Sequence, residues 1–119
     1  MRVMVIGASR HPAKFGHKAV LAYQRQGHTV LPVNPSAEQI ADVPCYARVS
    51  DPPGPIDRAT LYLPPEQGIE VLEPLAARGD VQEFYVNPGA ESDALLERAG
   101  ELGLDPVQAC SIVAIGERP

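Results

Sequence analysis

Short apolar runs closed by turn residues recur along this chain, with helix-forming stretches between them, and that alternation leaves few folds open. Val3-Met4-Val5-Ile6 carries no polar side chain, as expected of a strand buried on both faces of a parallel sheet. Gly7-Ala8-Ser9 closes it. A polar loop follows, then a helix expected from about Gly16 to Gln26, with Gly27 as its C-terminal cap. Thr29-Val30-Leu31-Pro32-Val33 reads as a second strand. Its Pro32 is awkward for a central position, because proline brings no N–H to the ladder. Asn34-Pro35 stops it. Residues 36–56 hold Pro44, Pro52, Pro53 and Pro55 and read mostly as loop.

The pattern then repeats. Ala59-Thr60-Leu61-Tyr62-Leu63 is the third expected strand. Pro64-Pro65 ends it and opens a helix that turns Ile69, Leu72, Leu75 and Ala76 inward, with Pro74 predicting a kink or two short helices. Glu83-Phe84-Tyr85-Val86 is the fourth strand, stopped by Asn87-Pro88-Gly89. Leu95, Leu96, Ala99 and Leu102 follow helical spacing in a helix from about Glu91 to Leu102, with Gly103 as its cap. Val107-Gln108-Ala109-Cys110 is the fifth strand. The expected fold is α/β: a doubly wound, five-stranded parallel sheet between two helix layers. Right-handed crossovers bring every strand's C-terminal end to one edge, where ligands bind near the switch in strand order.

A chain of 119 residues is expected to be a single domain, 1–119. No run approaches the roughly 18 apolar residues of a membrane span. The N-terminal apolar stretch is too short for a signal peptide and reads as the first strand. Cys45 and Cys110 cannot make a disulfide framework, so a cytoplasmic location with reduced thiols is expected.

The net charge is −5, and it is unevenly spread. Residues 1–37 carry Arg2, Arg10, Lys14, Lys18 and Arg25, all three histidines, and no Asp or Glu. The remainder sets five arginines against fifteen acids. An acidic chain with one acid-free segment suits a small polyanion held locally rather than a long nucleic acid. The strand ends sharpen this. Gly7-Ala8-Ser9, Asn34-Pro35, Leu63-Pro64-Pro65 and Asn87-Pro88-Gly89 form the expected rim. Glycine lets backbone approach a phosphate, and Ser9 adds a hydroxyl. The helix start near Gly16 and His17, with Phe15 beside it, offers free N–H groups and a positive dipole end. Arg10, Lys14 and Lys18 add formal charge. A pyrophosphate fits this site.

Exclusion narrows the nucleotide. A GxGxxG fingerprint would need glycine at Ser9 and Pro12. A dinucleotide site would also want an acid at the end of the second strand, where Asn34 stands. Its absence suits a ligand whose ribose is phosphorylated. There is no Walker A lysine motif.

Five stretches taken in order resemble the small single-domain coenzyme A-binding proteins, relatives of the coenzyme A-binding domain of the succinyl-CoA ligase alpha subunit. They are Val5-Ile6-Gly7-Ala8-Ser9, Gly27-His28-Thr29-Val30-Leu31-Pro32-Val33-Asn34-Pro35, Leu61-Tyr62-Leu63-Pro64-Pro65, Val86-Asn87-Pro88-Gly89-Ala90-Glu91 and Gln108-Ala109-Cys110-Ser111. They span about residues 3–114. The resemblance implies a Rossmann-like fold binding coenzyme A or an acyl-coenzyme A without catalysis. By position, Gly7, Ala8 and Ser9 would meet the pyrophosphate, Asn34 and Pro35 would border the adenosine, and Pro64 would wall the pocket. Asn87, Pro88 and Gly89 would border the pantetheine arm. Gln108 stands where relatives carry an acid.

No nucleophile–base pair, paired rim carboxylates or metal-ligand spacing is identified, so no catalytic or metal residue is assigned. Glu91 reads as an acid in a helix's first turn, His11 and His17 as loop or phosphate-contact residues, and Cys110 as packing at a strand end. Two other readings stay open: a nucleotide-dependent enzyme of the NAD(P) oxidoreductase type, and an interaction subunit that binds no ligand. The expected partner is a small molecule, not nucleic acid or membrane, and the expected state is a monomer or homodimer.

Overall fold

The computed structural model describes every residue from Met1 to Pro119. Its elements run β1 (Arg2–Ile6), α1 (Phe15–Arg25), β2 (Thr29–Val33), β3 (Gln39–Ile40), β4 (Val43–Pro44), β5 (Ile56–Leu61), α2 (Pro65–Ala77), β6 (Val81–Val86), α3 (Asp93–Glu101), β7 (Pro106–Gln108) and α4 (Ser111–Ala114). Five strands form one sheet in the order β2-β1-β5-β6-β7, and every pairing in it is parallel. This is the expected Rossmann-like α/β architecture.

Side-chain alternation along β1 divides the core. Val3 and Val5 face a cluster with Ala19, Val20 and Tyr23 of α1 and Ile112 of α4. Met4 and Ile6 face the opposite cluster, with Leu72 and Leu75 of α2 and Leu95 and Ala99 of α3. Val3 to Ile6 are each 1% exposed or less, which is why that run carries no polar residue.

The boundaries differ from the sequence expectation where polar groups find partners. The third sheet strand runs 56–61, not 59–63. Asp57 accepts a hydrogen bond from the Arg2 N–H (2.6 Å), and the Arg58 guanidinium lies 3.1 Å from a Glu83 carboxylate oxygen. Two charged residues therefore sit inside the sheet, while Tyr62 and Leu63 emerge at the rim. The fourth strand begins at Val81. The fifth ends at Gln108, so Cys110 does not close a strand but precedes α4, a turn of helix without sequence periodicity. α2 continues through Pro74 as one helix rather than two. Pro74 is exposed, so water can take the carbonyl that its missing N–H leaves open. Pro32 is tolerated because β2 is an edge strand, and its carbonyl accepts from the Tyr46 N–H at 2.9 Å. β3 and β4 make a small hairpin within the stretch read as loop.

Candidate functional site

Strand order reverses between β1 and β5, and a doubly wound sheet opens its crevice outside the strand ends at that point. The ladders extend one residue beyond these strands: Gly7 N–H donates to Val33 O (3.1 Å) and Tyr62 N–H to Ile6 O (2.8 Å). Three hollows follow one another along this edge. The middle one, about 510 Å³, is lined by Gly7, His11, Lys14, Gly16, Pro64 and Pro88 among others. A second, about 480 Å³, lies toward β2 and α2 between Pro35, Arg48, Gln67 and Glu70. The third, about 240 Å³, lies toward α4 between Phe15, Tyr62, Asn87, Pro88, Cys110 and Val113. Gly7 and Leu63 line both the first and second; Phe15, Tyr62 and Pro88 line both the first and third.

Two glycines make the middle hollow possible. Gly7 has φ +85°, a conformation that disfavours side chains. A Cβ on Gly16 would run into the Gly7 carbonyl oxygen and stand 3.2 Å from the Ala8 Cα. The first turn of α1 therefore rests directly on the β1 loop. Its N-cap, Lys14, makes no side-chain cap, and the turn holds no acid. The orphan N–H groups and positive dipole end of α1 thus face a hollow that no Asp or Glu lines.

Side chains fix the loop around them. The Asn34 amide donates to Ala8 O (2.8 Å), and its Oδ1 accepts from Ser36 N–H (2.7 Å), so Asn34 ties the β1 and β2 loops together. Ser9 Oγ accepts from His11 N–H (3.0 Å). His17 Nδ1 lies 2.7 Å from Ser9 O, so that nitrogen must carry the proton and donate. His11 Nδ1 accepts from Ala13 N–H (3.3 Å), which leaves Nε2 as the protonated nitrogen of the neutral ring. Ala8 is buried beneath the loop.

Several residues marked from the sequence stand elsewhere. Arg10 lines a separate surface hollow with Glu38 and Asp42. Lys18 is half-buried, with Nζ 5.0 Å from the centre of the Phe15 ring. Glu91 precedes α3 rather than sitting in its first turn, and its carboxylate accepts from Gly89 N–H (2.9 Å). Asn87 turns its side chain into the fold. The residue is 2% exposed; Nδ2 donates to Thr60 Oγ1 (2.7 Å) and Leu61 O (2.8 Å), and Oδ1 accepts from Ser111 N–H (2.9 Å).

Sequence reasoning passed over Arg48 and Tyr62. Arg48 was visible as the lone cation between Arg25 and Arg58. Tyr62 was placed inside a strand, and its position at the junction of two hollows follows only from where β5 ends. Burial raises the Tyr62 phenol from 10.0 to about 12, against the lowering effect of hydrogen bonds to Ser111 and Thr60. The folded chain thus favours the neutral phenol. That contribution is complete below pH 10 and disappears as pH rises through 12. Alkaline unfolding of Tyr62→Phe, followed by circular dichroism, should consequently show a shallower loss of stability over that interval than wild type.

No helix is long and apolar enough to cross a membrane. The chain is 35% identical over 89 residues to an ADP-forming acetate–CoA ligase II of Archaeoglobus fulgidus, covering 73% of this chain but 13% of the ligase. A conserved hypothetical protein from Pyrococcus furiosus superposes with a TM-score of 0.85 at 28% identity, over 95% of this chain and 97% of that one. A dinucleotide-forming acetyl-coenzyme A synthetase of Ca. Korarchaeum cryptofilum superposes with a TM-score of 0.70 at 26% identity, over 91% of this chain and 26% of that one. Residues 1–116 match the family profile described as a CoA binding domain, and the chain belongs to that family.

Proposed function

We propose that this protein binds coenzyme A, without catalysis, along the C-terminal edge of its sheet. The observation that carries the reading is the acid-free middle hollow, where the Gly7 loop and the uncapped start of α1 converge with Lys14 and His11. A pyrophosphate there would take helix N–H groups and the Lys14 charge together. Gly7, Phe15 and Gly16 line it, and Ala8 and Ser9 continue the same loop behind them. The hollow beside Pro35, Leu63 and Arg48 suits the phosphorylated adenosine, and Pro88 and Gly89 border the path of the pantetheine arm. Asn34 acts by holding the two loops in register, and Pro64 walls the middle hollow.

Thermal melting tests the ligand. Coenzyme A at about 100 times its Kd should stabilise by about 2.7 kcal/mol, raising Tm by roughly 10 °C, and NAD should leave it unmoved. Equal shifts from both would overturn the reading in favour of a dinucleotide site. No shift from either would favour an interaction subunit without a ligand.

Arg48 gives a finer test. Its side chain is 78% exposed and its partner Asp51 lies 3.4 Å away at the surface, so little of the fold depends on it. Arg48→Glu should weaken coenzyme A about tenfold by titration calorimetry, the order of one charge-assisted hydrogen bond. Binding of 3′-dephospho-coenzyme A should be weakened less. Equal weakening of both would remove Arg48 from the ribose phosphate.

A further inference from the structure

We propose that the third hollow is an acyl subsite, in which a short hydrocarbon chain packs between Phe15, Pro88 and Val113 while the Tyr62 hydroxyl donates a hydrogen bond to the thioester carbonyl of an acyl-coenzyme A. The inference rests on the coenzyme A reading above and names the ligand class.

The first support is apolar surface. Phe15 is 55% exposed and Val113 58%, the most exposed large hydrophobic side chains of the chain, and both line this one hollow. A single exposed apolar residue is ordinary. Two from different helices, converging beside a cleft with free backbone donors, form a wall that an apolar group would cover. Phe15, Tyr62 and Pro88 line both this hollow and the middle one, so the two adjoin on the same edge, within reach of a chain extended past the pyrophosphate position. Its volume of about 240 Å³ falls below the roughly 300 Å³ where sites for drug-sized ligands begin, which suits a few carbons and not a long fatty tail.

The second support is a hydrogen-bond chain that ends at Tyr62. The Asn87 amide is oriented without ambiguity, because Oδ1 receives the Ser111 N–H and Nδ2 faces the Leu61 carbonyl. Nδ2 therefore donates to Thr60 Oγ1. The Thr60 hydroxyl, fully buried, pairs with Ser111 Oγ at 2.7 Å. Ser111 Oγ in turn lies 3.1 Å from the Tyr62 oxygen. The chain ends at the Tyr62 hydroxyl, where either oxygen of the last pair can donate, so Ser111 can hold the phenol oxygen while the phenol proton turns to a ligand. Tyr62 stands where the middle and third hollows meet, the position a thioester would occupy between pantetheine and acyl chain. The phenol hydroxyl can donate, and a thioester carbonyl is an acceptor. Free coenzyme A, ending in a thiol, offers neither that acceptor nor a chain for the apolar wall.

Titration calorimetry with coenzyme A, acetyl-, butyryl- and octanoyl-coenzyme A tests this on wild type, Tyr62→Phe and Val113→Asn, each checked for folding by thermal melting. Butyryl-coenzyme A should bind wild type about fiftyfold tighter than coenzyme A, about tenfold from its two methylenes at a factor of about three to four each and about fivefold from the hydrogen bond. Octanoyl-coenzyme A should gain nothing further. Tyr62→Phe should cut the butyryl-to-coenzyme A affinity ratio about fivefold, the usual weight of one neutral hydrogen bond, and Val113→Asn should also lower it. Coenzyme A binding with no gain from the butyryl group overturns the subsite and leaves the coenzyme A reading standing. Affinity that climbs steadily to octanoyl overturns it as well, because the chain would then lie on open surface. An unchanged ratio in Tyr62→Phe removes the hydrogen bond. Failure of every ligand to bind overturns both readings together.

Discussion

Gly16→Val is expected to abolish coenzyme A binding and to lower Tm by roughly 10 °C. The cause is a single carbon. The Gly16 position leaves no room for a Cβ between the first turn of α1 and the Gly7 carbonyl, and that neighbour is backbone, which cannot swing aside as a side chain can. Overpacking against a rigid neighbour costs about 3 kcal/mol, and a β-branched residue adds crowding against the preceding turn. To relieve the contact, α1 must lift from the β1 loop. Its free N–H groups then retreat from the position where the phosphates are proposed to sit, and each charge-assisted hydrogen bond lost weakens binding about tenfold or more. Gly100→Ala is the control. It lies exposed in α3 with nothing within 4 Å of its added carbon, so it should be neutral or stabilise by about half a kcal/mol. Melting curves and calorimetry on the two variants decide the matter. A Gly16→Val protein that binds normally would show that the close approach of helix and loop is not what makes the site.

The β1 loop was legible because its constraints are local. An unbroken apolar run, a glycine and an acid-free helix start each have a direct physical meaning, and together they locate the cleft. What escaped the sequence depends on partners far along the chain. Asp57 and Arg58 look unsuited to a strand until Arg2 and Glu83 are seen beside them. The β3–β4 hairpin turns on Ala41 and Asp42, both at positive φ, where a readable sequence would carry Asn-Gly. α4 spans four residues, too few for any periodicity, yet it walls one end of the cleft. Arg10 was also beyond the reach of charge alone. Position in the sequence grouped it with Lys14, and the fold turns it toward Glu38 and Asp42.

Asn87 shows the same limit most clearly, and Asn87→Leu is the substitution expected to cost most in stability. From the sequence, Asn-Pro-Gly after a strand is a turn signal and a rim position. In the fold, the asparagine side chain points inward and joins two other segments: the end of β5, through the Thr60 hydroxyl and the Leu61 carbonyl, and the start of α4, through the Ser111 N–H. Leucine matches the size but offers no polar atom. It would leave the buried Ser111 N–H unpaired and deprive the Thr60 hydroxyl of its donor, each loss costing about 1–3 kcal/mol. A total near 4 kcal/mol should lower Tm by roughly 15 °C. Asn87→Asp separates the contributions. A carboxylate can still accept from Ser111 N–H, but it cannot donate to Leu61 O, and its second oxygen would face that carbonyl's lone pairs. It should therefore rescue little of the loss at pH 7. Denaturant melts of both variants beside wild type give the answer, and α4 should be the first segment to lose amide-exchange protection. An Asn87→Leu protein melting within about 2 °C of wild type would mean that the packing of Ile112 and the Tyr23 hydroxyl on Ser111 O hold α4 without Asn87, and that the chain from Asn87 to Tyr62 only follows that packing.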